Sequence, residues 1–219
     1  MDFETLDVLY KSRQTLLTIL KGKGYNTKPY EKFGPFEIEK MVSSDKERAL
    51  NMELVRELPE ESTLPTNCRV EYAIPRVKSR LAGFVRKLLV DDETGEDLID
   101  SKKTEIIVIT LESVGDTFHV VALNQWIKKN IRIAFFDAHA LTSNPLDHVL
   151  VPKHEIVPED EHAELLKTYN MTSKANLPII RFHEDPIARI LGLTPGSIVK
   201  ITRPSPSAGI YTLYRVCTP

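Results

Sequence analysis

Apolar residues at Leu6, Leu9, Tyr10, Leu16, Leu17 and Leu20 fall mostly on one face of a 3.6-residue period, which predicts an opening helix capped by Asp2 or Thr5. Gly22 and Gly24 supply its stop. A shorter helix is predicted over residues 35–42, with Pro35 near its first turn. Residues 49–57 set Met52 and Leu54 against Glu53 and Arg56, the alternation of a half-buried strand, and residues 68–73 look similar. Across residues 75–89, Val77, Leu81, Phe84, Val85 and Leu88 form an amphipathic helical stripe. Residues 105–111 are a nearly continuous apolar run of strand length, as in a central strand covered on both faces. Val120, Val121, Leu123, Trp126 and Ile127 predict a helix ending at Asn130, and residues 131–136 return to strand. The order is that of an α/β domain, a mixed sheet flanked by helices.

Thr142, Ser143, Asn144 and Pro145 are four turn-formers between apolar stretches, and they divide the chain into domains 1–143 and 144–219. Residues 158–169 read as a helix with acidic residues near its start and Lys167 near its end, matching the macrodipole. Asp185 as N-cap and Pro186 as first helical residue open a second helix that runs to Leu191 and stops at Gly192. Thr194, Pro195, Gly196 and Ser197 make a tight turn into a strand at 198–202. A closing strand at 211–216 follows Gly209. The second domain is a small α+β unit.

Composition narrows the function. The chain has 219 residues, 42% hydrophobic and 27% charged, with a net charge of −2, which excludes a uniformly basic nucleic-acid binder. Cys68 and Cys217 are its only cysteines and form no C-x-x-C, which points to a reducing compartment without structural zinc. The start lacks a signal-peptide pattern, and no apolar run approaches the ~18 residues of a membrane span. The expectation is a soluble intracellular protein with no membrane association.

Several constellations invite chemistry. Arg76, Lys78, Arg80, Arg86 and Lys87 are either a phosphate-facing surface or the solvated side of a helix. Lys128, Lys129 and Arg132 form a weaker patch, better explained by a helix C-terminus that favours cations. His148, His154, His162 and His183 have no metal-ligand spacing, so no metal or cofactor is expected. The acidic stretch at 91–97 has its glycine in the wrong place for a calcium loop and lacks the closing glutamate. A sharper alternative is a metal-dependent nuclease, with Asp91 or Asp92 followed by Asp100, Ser101 and Lys102 beside the buried strand. That triplet precedes the strand rather than riding on it, which weakens convergence. No serine nucleophile elbow, phosphate loop or dinucleotide fingerprint occurs, so neither catalysis nor a small-molecule substrate is expected.

The C-terminal residues carry a resemblance. Val151-Pro152-Lys153-His154, Leu177-Pro178, Asp185-Pro186-Ile187-Ala188-Arg189, Gly192, Gly196, Val199-Lys200-Ile201, Arg203-Pro204-Ser205, Ala208-Gly209, Tyr211 and Tyr214-Arg215 stand in one order and spacing over about seventy positions. In these residues the chain resembles the fifth-largest subunit of eukaryotic-type DNA-dependent RNA polymerases, whose archaeal relative is similar at this domain. The N-terminal part is similar to the family's jaw domain more weakly, in the first helix ending at Gly24-Tyr25 and in strand order. Departures are Thr194-Pro195 where the family often has Lys-Arg, Ile210 where it often has Arg, and a loop at 91–103 that looks inserted. They suggest a divergent form, and the resemblance leaves a eukaryotic or a viral polymerase open as its source.

The resemblance implies a non-catalytic subunit. Its C-terminal domain docks on the largest subunit and contacts other core subunits, and its jaw lies beside downstream duplex DNA. Pro152, His154, Pro178, Asp185, Pro186, Gly192, Gly196, Arg203, Gly209, Tyr211 and Arg215 would carry assembly, with the active site on other subunits. The location implied is the nucleus for a cellular enzyme, or the virion or cytoplasmic viral factory for a viral one. A regulator that borrows the docking module is the rival from another class.

Overall fold

The computed structural model describes residues 2–44, 48–57, 64–90, 98–100 and 103–219. It forms two compact units, Met1–Asn144 and Pro145–Pro219.

The first unit opens with α1 (Phe3–Gly22). The Asp2 carboxylate accepts the Thr5 N–H at 3.0 Å, satisfying one of the donors a helix start leaves orphaned. Gly24 follows at φ +88, a left-handed position that glycine adopts without strain. Leu9, Leu16, Leu17 and Leu20 are buried as their periodicity requires, and Arg13 is buried with them. Helix α2 (Pro35–Ser43) has Pro at its start, and the Glu37 carboxylate accepts the Gly34 N–H at 2.9 Å.

A four-stranded mixed sheet follows in the order β1 (Met52–Val55), β2 (Asn67–Ala73), β3 (Thr104–Thr110), β4 (Arg132–Asp137). Strand β1 is antiparallel to β2, and β2, β3 and β4 are parallel. Parallel neighbours need crossover helices. Helix α3 (Leu81–Leu89) joins β2 to β3 and α4 (Asp116–Lys129) joins β3 to β4. The two helices touch, as consecutive crossovers of one hand on one face should. Strand β3 is buried from Glu105 through Thr110, in accord with its unbroken apolar run.

Three sequence expectations need correction here. The strand expected over 49–57 keeps only Met52–Val55: Arg48 turns the chain at φ +66 ahead of it, and past Val55 the Arg56 N–H still reaches the Thr66 carbonyl at 2.9 Å as the ladder ends. The helix expected over 75–89 begins only at Leu81, after a 3-10 turn at Lys78–Arg80. The Glu112 carboxylate accepts the N–H groups of Val77 and Lys78 at 2.7 and 3.0 Å, which anchors that tighter turn. The helix expected from Val120, Val121, Leu123, Trp126 and Ile127 forms, but its buried residues are Phe118 and Ala122, while Val120 and Ile127 are exposed. Phe118 meets Phe135 of β4 edge-on with centroids 5.2 Å apart, and this contact chooses the buried face. Asn130 closes α4 in the left-handed conformation at φ +56, as predicted.

The second unit holds a four-stranded sheet in the order β5 (Lys153–Val157), β7 (Ile198–Ser205), β8 (Gly209–Thr218), β6 (Ile179–Arg181). Only the β6–β8 pair is parallel. Val157, Leu177, Ile198 and Val216 form one cluster of its core, with Leu165, Met171 and Tyr214 packed against them. Helix α5 (His162–Thr168) follows a 3-10 turn, and α6 (Pro186–Leu191) precedes the β7–β8 hairpin. Strands β5 and β6 escaped the sequence reading, the first because its burial does not alternate and the second because it has three residues.

Candidate assembly surface

The residues singled out in the second unit mostly shape its backbone. The Asp185 carboxylate accepts the N–H groups of Ile187 and Ala188 at 2.8 and 3.1 Å, and Pro186 occupies the first helical position. Gly192 ends α6 at φ +81 and donates to the Ala188 carbonyl at 2.9 Å. Gly196 sits at φ +93, where its N–H reaches the Cys217 carbonyl at 2.9 Å and its carbonyl accepts Lys174 Nζ at 3.2 Å. Gly209 opens β8 at φ +69. The Pro178 carbonyl accepts the Val216 N–H at 2.9 Å and so starts the β6–β8 pairing. His154 Nδ1 donates to the Pro152 carbonyl at 2.7 Å, which folds the entrance to β5.

Three others meet the surface. Arg203 lies over the Tyr211 ring at 5.2 Å, and the two are partners in the β7–β8 register. Both are exposed. Arg215 Nη1 donates to the Ile179 carbonyl at 3.1 Å, tying β8 to the edge strand β6. The fold thus gathers Arg203, Gly209, Tyr211 and Arg215 on one hairpin, and spreads the others over turns and strand ends.

The histidines are placed apart. His162 is buried and its Nε2 donates to the Val157 carbonyl at 3.1 Å, while His148 Nδ1 accepts the Leu150 N–H at 3.2 Å. His183 is buried at φ +61. Among the described residues no group of three or more histidine, cysteine or acidic side chains converges. Cys68 and Cys217 are both buried and not disulfide-bonded.

In the first unit, Arg76, Lys78, Arg80, Arg86 and Lys87 are all exposed. They lie on a lead-in, a 3-10 turn and α3 rather than along one helix. For the nuclease alternative, Asp91, Asp92, Ser101 and Lys102 lie outside the described residues, as do the acidic stretch 91–97 and most of the loop at 91–103. Asp100 is exposed, and its carbonyl accepts the N–H groups of Lys103 and Thr104 at 3.2 and 3.0 Å just ahead of β3.

Sequence reasoning passed over the buried charges. Arg13 Nη1 donates to the Leu50 carbonyl at 2.7 Å, and its guanidinium stands 5.7 to 5.9 Å from the rings of Tyr30, Phe33 and Tyr72. Its place at i+4 from Leu9 and four before Leu17 was the available signal. Glu105 is buried between Lys23 Nζ at 3.1 Å and Arg132 Nη2 at 3.0 Å. Burial alone would raise its carboxyl, but Lys23 and Arg132 reverse that and, with hydrogen bonds from Tyr25 and Lys23, lower it to about 2. These groups anchor the fold of the first unit.

Residues 143–217 match the family described as RNA polymerase Rpb5, C-terminal domain. A DNA-directed RNA polymerase subunit Rpo5 of Methanocaldococcus jannaschii is 46% identical over 70 residues, 32% of this chain and 87% of that subunit. The Rpo5 subunit of Archaeoglobus fulgidus is 50% identical over 70 residues, 32% of this chain and 90% of its own length. A subunit of DNA-directed RNA polymerases I, II and III from Dictyostelium discoideum is 36% identical over 122 residues, 55% of this chain. The match spans 61% of that longer relative. With 70 residues of this chain covering nearly the whole length of the archaeal subunits, the chain belongs to the Rpb5/Rpo5 family of DNA-directed RNA polymerase subunits.

Proposed function

We propose that this protein is a non-catalytic subunit of a multisubunit DNA-directed RNA polymerase, held in the complex by its second unit. The observation that carries this reading is that 70-residue stretches of this chain cover 87% and 90% of two archaeal polymerase subunits, while residues 143–217 match the family's C-terminal domain. Membership of a polymerase therefore does not need the first unit. The second unit suits a docking role physically: its glycines, caps and edge tie make a rigid body, and rigidity lowers the ordering cost of binding. Its partner is the largest subunit, with other core subunits alongside.

The first unit is the jaw, placed near downstream duplex DNA. Its exposed Arg76, Lys78, Arg80, Arg86 and Lys87 supply the charge argument for that placement. A cellular polymerase would hold the protein in the nucleus, and a viral one in virions or cytoplasmic factories.

The test is affinity purification of the tagged protein from its own source with a high-salt wash. Recovery of the two largest polymerase subunits in near-equal amounts is the expected result. A regulator that borrows the docking module would wash off, and a protein that purifies alone would refute the subunit reading.

A further inference from the structure

A charged network stands at the β1 edge of the first unit's sheet. Glu53 and Arg69 are register partners on β1 and β2, and Glu71 lies two residues past Arg69, so all three side chains share one side of the pair. Met52, Leu54, Cys68 and Val70 occupy the other side and are buried. Glu71 is buried as well, and its carboxylate accepts Arg69 Nε at 2.7 Å and the Asn51 amide. Asn51 Oδ1 in turn accepts the Tyr72 N–H at 2.9 Å. Together with Tyr30 and Arg48, these residues line a cavity of about 410 Å³.

The walls of this cavity are held from behind. Tyr30 Oη accepts the Glu53 N–H at 3.0 Å and donates to the Glu53 carbonyl at 3.1 Å, and its ring lies 5.8 Å from the buried Arg13 guanidinium. Glu71 fixes Arg69, and Arg48 is presented by a backbone turn at φ +66. Burying a carboxylate with its guanidinium costs desolvation that apolar residues would not incur, and groups held this way at an open cavity are suited to binding. Their pre-ordering lowers what a ligand must freeze. The lining holds two guanidiniums and two carboxylates, so it carries no net charge. A ligand of one sign meets a like charge there, whereas a ligand carrying both signs a few bonds apart meets an opposite charge at each end.

We propose that this cavity binds a small zwitterion of the amino-acid class, its carboxylate taken by Arg48 and Arg69 and its ammonium by Glu53. Arginine presents carboxylates with a planar pair of N–H donors. Glu53 is the acid that serves the ammonium, because Glu71 already accepts from Arg69 and Asn51. Asn51 and Tyr30 complete a polar lining, which favours a polar side chain on the ligand over an aliphatic one. The inference concerns the first unit and stands apart from the subunit reading.

The test is an NMR titration of the isotope-labelled full chain with L-glutamine at neutral pH, following the amide signals of Arg48, Asn51 and Glu53. Acetate and methylammonium serve as probes of one charge each. L-glutamine should bind with a Kd of about 1 mM or tighter, and each single-charge probe roughly tenfold more weakly. Arg48→Asn keeps a residue that tolerates positive φ, and Glu53→Gln changes an exposed side chain, so both should melt as wild type. Each should weaken L-glutamine roughly tenfold. Glu53→Gln should also bind acetate more tightly than wild type does, because the like charge is gone, and a merely structural role would not produce that gain. If one variant melts lower, the other decides. Unchanged L-glutamine binding in a variant that melts as wild type overturns the proposal. Acetate binding wild type as tightly as L-glutamine overturns it too, by showing a plain anion site. No movement of these signals with L-glutamine at roughly 10 mM, ten times the expected Kd, overturns it outright.

Discussion

Arg132 Nη2 lies 3.0 Å from Glu105 Oε2, and the two residues are register partners on the adjacent parallel strands β4 and β3. Lys23, just past the end of α1, closes the other carboxylate oxygen at 3.1 Å. One buried acid therefore ties the first helix to two strands of the sheet. Arg56 adds to the same region, donating to the carbonyls of Lys23 and Pro65 and lying 4.6 Å from the Tyr25 ring.

Glu105→Ala should destabilise the first unit by about 3–5 kcal/mol, because it leaves two cations half-buried without their counter-charge. Urea denaturation of the full chain, followed by the Trp126 signal, measures this. A loss below ~1 kcal/mol, the range of exposed ion pairs, would show that the triad is screened by water.

Acid should act through the same group. The folded carboxyl is lowered from 4.5 to about 2, so its contribution is complete above the unfolded value and is lost as pH falls toward 2. Between those limits the wild-type chain should lose stability more steeply than Glu105→Gln, which has no proton to take up. Parallel stability curves for the two chains across pH 4.5 to 2 would rule this out.

Asp185→Ala removes the acceptor of two backbone N–H groups at the start of α6. The expected cost is about 1 kcal/mol, with Asp185→Asn restoring most of it, since both side chains cap well. Thermal melts of the three chains provide the comparison, and an Asn variant as weak as the Ala variant would contradict a capping role.

Gly209→Val places a β-branched residue at φ +69, where a left-handed backbone costs about 1–2 kcal/mol. Nothing lies within 4 Å of the added Cβ position, so the penalty is conformational rather than steric. Gly209→Asn should therefore be milder. A wild-type melting temperature for Gly209→Val, together with full incorporation into the complex, would remove the case for this glycine.

Charge reversal at Lys78 and Arg86 tests the proposed jaw role of the first unit. If both meet phosphates, the double variant should flatten the dependence of log affinity on log salt by about 0.9 for each phosphate no longer neutralised. The measurement is DNA retention by the assembled polymerase across a salt series. An unchanged slope would leave the basic residues as a solvated surface.

Much of the architecture was legible because it depends on neighbours along the chain. The caps at Asp2 and Asp185, the stops at Gly24, Asn130 and Gly192, and the buried run of β3 all rest on backbone geometry or local periodicity. The elements misread depended on distant residues. Glu112 holds the 3-10 turn that shortens α3, Phe135 selects the inward face of α4, and β5 is a strand because β7 pairs with it.

For the candidate surface, the order of residues from Val151 to Arg215 identified the family but not which side chains stand together. That Arg203 stacks on Tyr211 while Pro204 and Ile210 share the opposite side follows from the register of β7 with β8. The buried charges follow the same division: Arg13 and Glu105 are ordinary residues in the chain, and become anchors only where the fold removes water and brings Leu50, Lys23 and Arg132 to them. Sequence alone determined the turns, caps and family, because those are set by backbone chemistry within a few residues. Tertiary structure decided burial, pairing and the exposed hairpin, because desolvation and contact depend on residues far apart in the chain.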